Sequence, residues 1–366
     1  MRLTEKEIIK QLHESASQYE PVRFKKIETE FFLTEKIQAD AVAEFTIDNG
    51  PSFKALIEIK TLANPKTILV ACKVLRDELE RVNNPEFIPI IIAPYIGDKQ
   101  AAILAKEGIS WIDLSGNMRI QILNKVYIER TGKLNKYPDT VPIRKIFQGT
   151  SSLVTRALLL QPEGFSSINK VTDFINSRNA NITLSTVSKV LNSLEQELYI
   201  DKSKSLIRVR DAKKLLDKLT EGSINSTQRK MWKTYKFAVD KVKNIYMSLW
   251  ERQIEYAAYG FYAAQLKGLT VTNEINIFVK DIEQLKKAAE HILYSVKFVP
   301  DSEFGNFSIT ETDDPGVWFN ISKQTNMIDC SVIDDIELYL EMAVDKPRGP
   351  KIAEIIKTNI LRGFNG

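Results

Sequence analysis

The sequence predicts a multidomain chain of α/β and α+β class, and three observations predict it. Strand-like and helix-like periods interleave through the first third. Basic residues concentrate in the middle, within a run of helices closed by a small hairpin. The last third returns to interleaved strands and helices, now with an acidic balance. Length alone allows about two to three domains. The boundaries read as 1–135, a linker over 136–147, then 148–220 and 221–366.

Residues 4–17 open with Thr4 and Glu7, the spacing of a capping box, and continue with Ile8, Ile9, Leu12 and Ala16 on one stripe. Residues 22–33 read as a strand. The stretch 37–60 alternates apolar and polar residues on either side of Asp48-Asn49-Gly50-Pro51, so it reads as a hairpin with one apolar face. Its other face carries Asp40, Glu58 and Lys60. Asn64-Pro65 opens a helix to about Val82, with Ile68, Cys72, Leu75, Leu79 and Val82 inward. The outward Lys66, Lys73, Arg76 and Arg81 suit a solvated face or phosphate contact. The apolar run 87–96 suits a strand covered on both sides. A short helix over 98–107, a strand at 110–113, a turn at Leu114-Ser115-Gly116-Asn117 and a hairpin turning at Asn124-Lys125 follow. Asp113 and Asn117 read as turn formers. This order implies a mixed sheet with helices on both faces.

Two carboxylates on adjacent strands can hold a hard divalent cation through oxygen. Such a cation polarises a phosphate and lowers the pKa of a water. A lysine two residues beyond the glutamate shares its face and can orient that water or offset developing charge. Asp40 followed by Glu58-Ile59-Lys60 resembles the core of the PD-(D/E)xK nuclease superfamily, with Ala39 where the motif's name has proline. The resemblance covers residues 1–130. It implies a restriction-endonuclease-like mixed sheet, Mg2+ or Mn2+ held by Asp40 and Glu58, and Lys60 as the assisting amine. Glu7, Glu14 and Glu30 are acids that could add a further ligand. The same trio would also suit a solvated sheet face, or a nuclease fold without activity. GISWIDLSGNMRI resembles the end of nuclease-like modules fused to DNA-binding domains in bacterial defence proteins.

Residues 131–147 hold Gly132, Pro138 and Pro142 in polar surroundings, as a linker should. Helices follow over 151–160, 166–176 and 181–198, the third with Leu184, Val187, Leu191, Leu194 and Leu198 inward. A small hairpin then turns around 201–205. This pattern resembles a winged helix-turn-helix, with TLSTVSKVLNSLEQELYI as the recognition helix. Ser185, Lys189, Asn192 and Gln196 then face outward, where they can read base edges in a major groove. Lys202, Lys204, Arg208 and Arg210 of the wing can meet phosphates. The alternatives are a protein-contact surface or a solvated one. Residues 141–250 carry 19 basic and 9 acidic side chains, against 20 and 20 over 1–140. That local excess favours double-stranded DNA as partner.

Residues 211–255 read as helical, with Trp232, Tyr235, Val239, Val242, Tyr246 and Trp250 recurring at helical spacing, either as a core stripe or as a nucleic-acid face. Residues 256–268 read as a helix, 274–280 as a strand, 281–294 as a helix, 317–321 and 327–332 as strands, and 333–344 and 350–361 as helices. VIDDIELYLEMAVDKPRGPKIAEII resembles the C-terminal domain of AbiEi-like abortive-infection antitoxins, which are winged-helix transcription regulators with a nucleotidyltransferase-like tail. Glu274-Ile275-Asn276 and Tyr259-Gly260-Phe261 lack that fold's paired acids and Gly-Ser, so this domain reads as degenerate. With 12 basic and 18 acidic residues, 251–366 suits a protein partner or internal packing.

Composition excludes several classes. No run is apolar enough to span a bilayer, and the charged N-terminus is no secretory signal. Two histidines make a zinc site or a His-based triad a poor fit. Cys72 and Cys330 sit among apolar neighbours, as reduced core thiols of a cytoplasmic protein do. Three functions follow: an endodeoxyribonuclease delivered by a winged helix, a non-catalytic regulator of the antitoxin type, or a scaffold whose acidic tail recruits another protein. All are compatible with a homodimer.

Overall fold

The computed structural model describes residues 3–34, 37–48, 50–137, 144–178, 180–238, 249, 254–285, 299–300, 305–324, 330–345 and 347–364. Two compact units form, Met1–Ile143 with Gln196–Leu198, and Arg144–Glu195 with Tyr199–Gly366. Each contains a seven-stranded mixed sheet with helices.

In the first unit, α1 (Glu5–Glu14) carries the Thr4–Glu7 capping box, and one 3₁₀ turn over Ala16–Tyr19 follows. The sheet runs in chain order: β1 (Val22–Thr34), β2 (Ile37–Ile47), β3 (Ser52–Ile59), β4 (Phe87–Ala93), β5 (Ser110–Asp113), β6 (Met118–Ile122) and β7 (Val126–Arg130). The β3–β4 and β4–β5 pairs are parallel; the others are antiparallel. The two parallel steps are crossed by α2 (Pro65–Val82) and α3 (Asp98–Glu107). Asn64 caps α2 through its side chain, and Pro65 needs no amide partner there.

One face of this sheet packs Ala41, Phe45, Ile57, Ile90 and Ile112 with Ile8 and Leu12 of α1. The opposite face packs Leu56, Ile91 and Trp111 with Ile68, Cys72 and Leu75 of α2 and Leu104 of α3. The β2–β3 hairpin therefore has a second face that is partly apolar, covered by helix at β3. This corrects the reading of that face as polar: Leu56 is fully buried and Glu58 is 7 % exposed. Asp113 and Asn117 are turn formers, with Ser115 N–H and Asn117 N–H both 2.9 Å from Asp113 Oδ1. Pro138 and Pro142 lie outside the described residues.

The second unit begins with α4 (Gly149–Leu160), α5 (Ile168–Asn176) and α6 (Leu184–Gln196), then the hairpin β8 (Ile200–Lys202) and β9 (Ile207–Val209), then α7 (Ala212–Ile224). Phe165 bridges Ile207 and so adds to the hairpin's edge. Leu184 is not on the inward stripe of α6. It sits in the first turn and is 48 % exposed, while Val190 is buried beside Val187, Leu191 and Leu194.

Three readings in the last third are overturned. The helix over 211–255 stops short of a strand, β10 (Lys233–Ala238). KTYKFA alternates with period two, and its aromatic residues favour a pleated surface; the three- to four-residue spacing of Trp232 and Tyr235 masked this. Val239, Val242, Tyr246 and Trp250 lie outside the described residues. The segment 256–268 starts as strand β11 (Tyr256–Ala258) and turns helical only at Gly260–Leu266. Residues 317–321 are not a strand: Pro315–Trp318 is a short helix, capped by Asp314 accepting from Gly316 N–H at 2.9 Å. Strands β12 (Ile275–Val279), β13 (Val299–Pro300), β14 (Phe307–Glu311), β15 (Ser322–Gln324) and β16 (Cys330–Val332) complete the sheet, in the order β13-β10-β14-β12-β11-β16-β15. The helix read over 281–294 is described only to Leu285. Helices Asp335–Val344 and Gly349–Arg362 close the chain.

A buried ionic network ties α4 to this sheet's helices. Arg156, 1 % exposed, donates through Nη2 to Glu337 Oε2 at 2.5 Å. Arg229 donates through Nε to Asp314 Oδ2 at 3.0 Å and places Nη1 2.7 Å from Glu337 Oε1. Burial pushes the Glu337 carboxyl up, but the guanidiniums of Arg229 and Arg156 outweigh it and hold it near 2. Both cysteines are buried free thiols. Among the described residues, no helix is long and apolar enough to cross a membrane.

Candidate functional site

Strands β2 and β3 pair antiparallel, with Ala41 opposite Ile57 and Val42 opposite Leu56. One step further, the period of two puts Asp40 and Glu58 on the α2 side of the sheet, with Lys60 just past the end of β3. The structure brings these three together. Ile59 N–H donates to Asp40 Oδ2 at 2.8 Å, which fixes the aspartate. Lys60 Nζ donates to Glu58 Oε1 and lies 3.8 Å from Asp40 Oδ2. Lys60 N–H is itself held by Ile92 C=O at 2.9 Å, so the ladder to β4 anchors the backbone here. The Asp40 and Lys60 side chains are 29 % and 21 % exposed, so the site opens to solvent at the aspartate and the amine.

Burial pushes the Glu58 carboxyl up to about 7; Lys60 opposes the rise and Asp40 adds to it. A group that resists ionising beside another carboxylate is one that a cation would favour. Asp40 and Glu58 supply hard oxygen donors of the kind Mg2+ or Mn2+ takes. Among the described residues, no group of three acids, histidines or cysteines is placed to hold one metal ion. Glu7 is spent on the α1 cap. Glu14 is exposed 3.8 Å from Lys10. The Glu30 side chain lies outside the described residues.

Glu78 belongs to this neighbourhood, and the sequence reading missed it. It is 9 % exposed, on the inward face of α2. Its carboxyl is raised by burial first and by Asp40 next, while Arg81 and Lys60 oppose. The available signal was its position three residues after Leu75, where the apolar stripe continues and a charge is out of place.

The second candidate surface lies on α6 and the β8–β9 hairpin. Ser185, Lys189, Asn192 and Gln196 are all exposed along α6. Lys202 Nζ donates to Asn192 Oδ1 at 2.7 Å and joins hairpin to helix. Lys204, Arg208 and Arg210 are exposed. Arg208 and Arg210 stand 3.8 Å and 4.0 Å from Asp201, loose surface pairs worth little. They can exchange Asp201 for a phosphate at small cost.

In the second sheet, Glu274 is exposed, 3.4 Å from Arg348, while Asn276 is buried. The Gly260 N–H donates to Glu341 Oε2 at 2.8 Å, so the glutamate carboxyl holds the amide that opens the helix there. Burial and the charge of Glu337 push Glu341 up to about 8. No family model, curated protein or solved structure matches this chain.

Proposed function

We propose that this chain is a DNA-binding protein whose first unit hydrolyses DNA phosphodiesters with Mg2+ or Mn2+, serving bacterial defence in the cytoplasm. The carrying observation is the convergence of Asp40, Glu58 and Lys60 at the end of β3, open to solvent at the aspartate and the amine. In this reading the first sheet is restriction-endonuclease-like, α4 to β9 form a winged helix, and the second sheet is a nucleotidyltransferase-like domain without its catalytic residues.

The division of labour follows from charge and reach. Asp40 and Glu58 would hold the cation, which supplies Lewis acidity and an acidified water. The Ile59 N–H keeps the aspartate in one orientation. Lys60 donates hydrogen bonds: to Glu58 at rest, and to a phosphate oxygen as negative charge grows there. Ser185, Lys189, Asn192 and Gln196 meet base edges, while Lys202, Lys204, Arg208 and Arg210 meet the backbone.

One observation favours a second reading. Lys60 already neutralises Glu58 and approaches Asp40, a self-contained arrangement that needs no cation. The chain would then be a regulator of the AbiEi type that acts by occupying DNA, with a protein partner bound through its acidic C-terminal region. Incubation with supercoiled plasmid in Mg2+ or Mn2+ separates the two. The nuclease reading expects nicking by wild type and none by Asp40→Ala or Lys60→Ala. No cleavage of any DNA by any of them leaves the regulator.

A further inference from the structure

Asn192 is exposed on α6, directly after the fully buried Leu191. Lys202 ends strand β8, where it pairs with the buried Ile207 of β9. Core packing therefore fixes both backbones, and the 2.7 Å bond from Lys202 Nζ to Asn192 Oδ1 joins two held elements. An ammonium only donates, and a carboxamide accepts through its oxygen, so this bond decides which way the Asn192 amide is turned. Oδ1 faces the hairpin. The amide is planar with its nitrogen on the opposite branch, so Nδ2 faces away from the hairpin. Among the described residues Nδ2 meets no acceptor.

An asparagine that reads adenine bidentately needs its oxygen for the N6 amino group and its nitrogen for N7. Here the oxygen is occupied. What remains is a set of donors: Nδ2, the N–H bonds of Lys202 not spent on Asn192, and Lys189 three residues earlier on the same helix face. The guanine edge in the major groove offers two acceptors, O6 and N7, and no donor. An adenine in that place would turn its amino group against donors and leave it unpaired.

We propose that Lys202 is a positioning residue for base reading: by holding Asn192 Oδ1 it makes Asn192 a donor-only reader, and so selects guanine over adenine where Asn192 meets duplex DNA. The inference rests on the DNA-binding reading of this surface and is independent of the candidate site in the first unit.

Selection of duplexes from a randomised library by the full chain, followed by binding titrations on the selected sequence, tests it. Wild type should select a site with a G·C pair whose preference disappears in Asn192→Ala. Replacing that pair by A·T should weaken wild-type binding about 10-fold. In Lys202→Met the amide is free to turn, so that position should accept adenine at least as well as guanine while the rest of the site is kept. Lys202→Arg still donates to Oδ1 and should keep guanine. If Lys202 served only a phosphate, Lys202→Met would weaken binding to all sequences alike and keep the guanine preference. That result, or adenine at the Asn192 position in wild type, overturns the proposal. So does a wild type that retains duplex DNA yet selects no sequence, an outcome that leaves non-specific DNA binding standing. If wild type retains no duplex at all, the DNA-binding reading falls and the proposal with it.

Discussion

Glu337 is fully buried between two guanidiniums, and its environment makes its value easy to test. Replacing one member of a buried ion group leaves the others uncompensated, which costs about 3–5 kcal/mol. Glu337→Gln should therefore lower the unfolding temperature by many degrees, measured by calorimetry at pH 7. Gly316 belongs to the same arrangement: a Cβ there would stand 2.9 Å from Arg156 Nη2, so only glycine lets the guanidinium lie close. Glu341 makes the opposite prediction. Its folded pKa is raised from 4.5 to about 8. The folded state then keeps a proton that the unfolded state releases, so wild-type stability falls as pH rises through that window. Glu341→Gln keeps an acceptor for Gly260 N–H and removes the titration. It should gain on the order of 1–3 kcal/mol relative to wild type between pH 5 and pH 9, read from denaturant midpoints. Asp40, Glu58 and Lys60 were legible because a strand's period of two assigns faces without ambiguity. Glu78 was not, because a charged residue adjoining Leu79 reads as the solvated side of a helix until its burial is seen.

Elements with one clear period and a capping signal were legible close to their ends. Thr4 and Glu7 announce α1, Asn64-Pro65 announces α2, and Asn124, at φ 57°, marks the turn between β6 and β7. Elements failed where two periods fit the same residues. Trp232 and Tyr235 are three apart, as on a helix, yet Tyr235 pairs with Ile309 across an antiparallel ladder that no local pattern reveals. Non-local partners decide strands, so β10 and β14 became visible only together. The α6 and β8–β9 surface carries its own prediction. Arg208→Ala removes one phosphate contact and should reduce the slope of log affinity against log salt by about 1. Lys189→Ala with Arg208→Ala should abolish a gel shift at moderate salt. Binding unchanged by the double substitution would remove DNA from this surface.

At the scale of the whole molecule, charge and core divide the chain differently. The basic excess of 141–250 and the acidic excess of 251–366 fall within residues that share one apolar cluster, from Ile146 to Ile356. Opposite net charges on neighbouring segments cannot be turned into contacts from composition, which is why that shared core was not legible. A chain ending at Asn225 would lose Glu337, Asp314 and the apolar residues of the second sheet. It should lose cooperative unfolding and be cut by proteases faster than the full chain. The central claim concerns the first unit alone: two carboxylates and an amine on one sheet face cut DNA. Its most direct measurement is the single-turnover rate of duplex cleavage in Mn2+ by wild type and by Lys60→Ala. The account predicts metal-dependent cleavage by wild type and a loss of about 100-fold or more in the variant. Equal rates for the two proteins, or no wild-type cleavage in Mn2+, would contradict it.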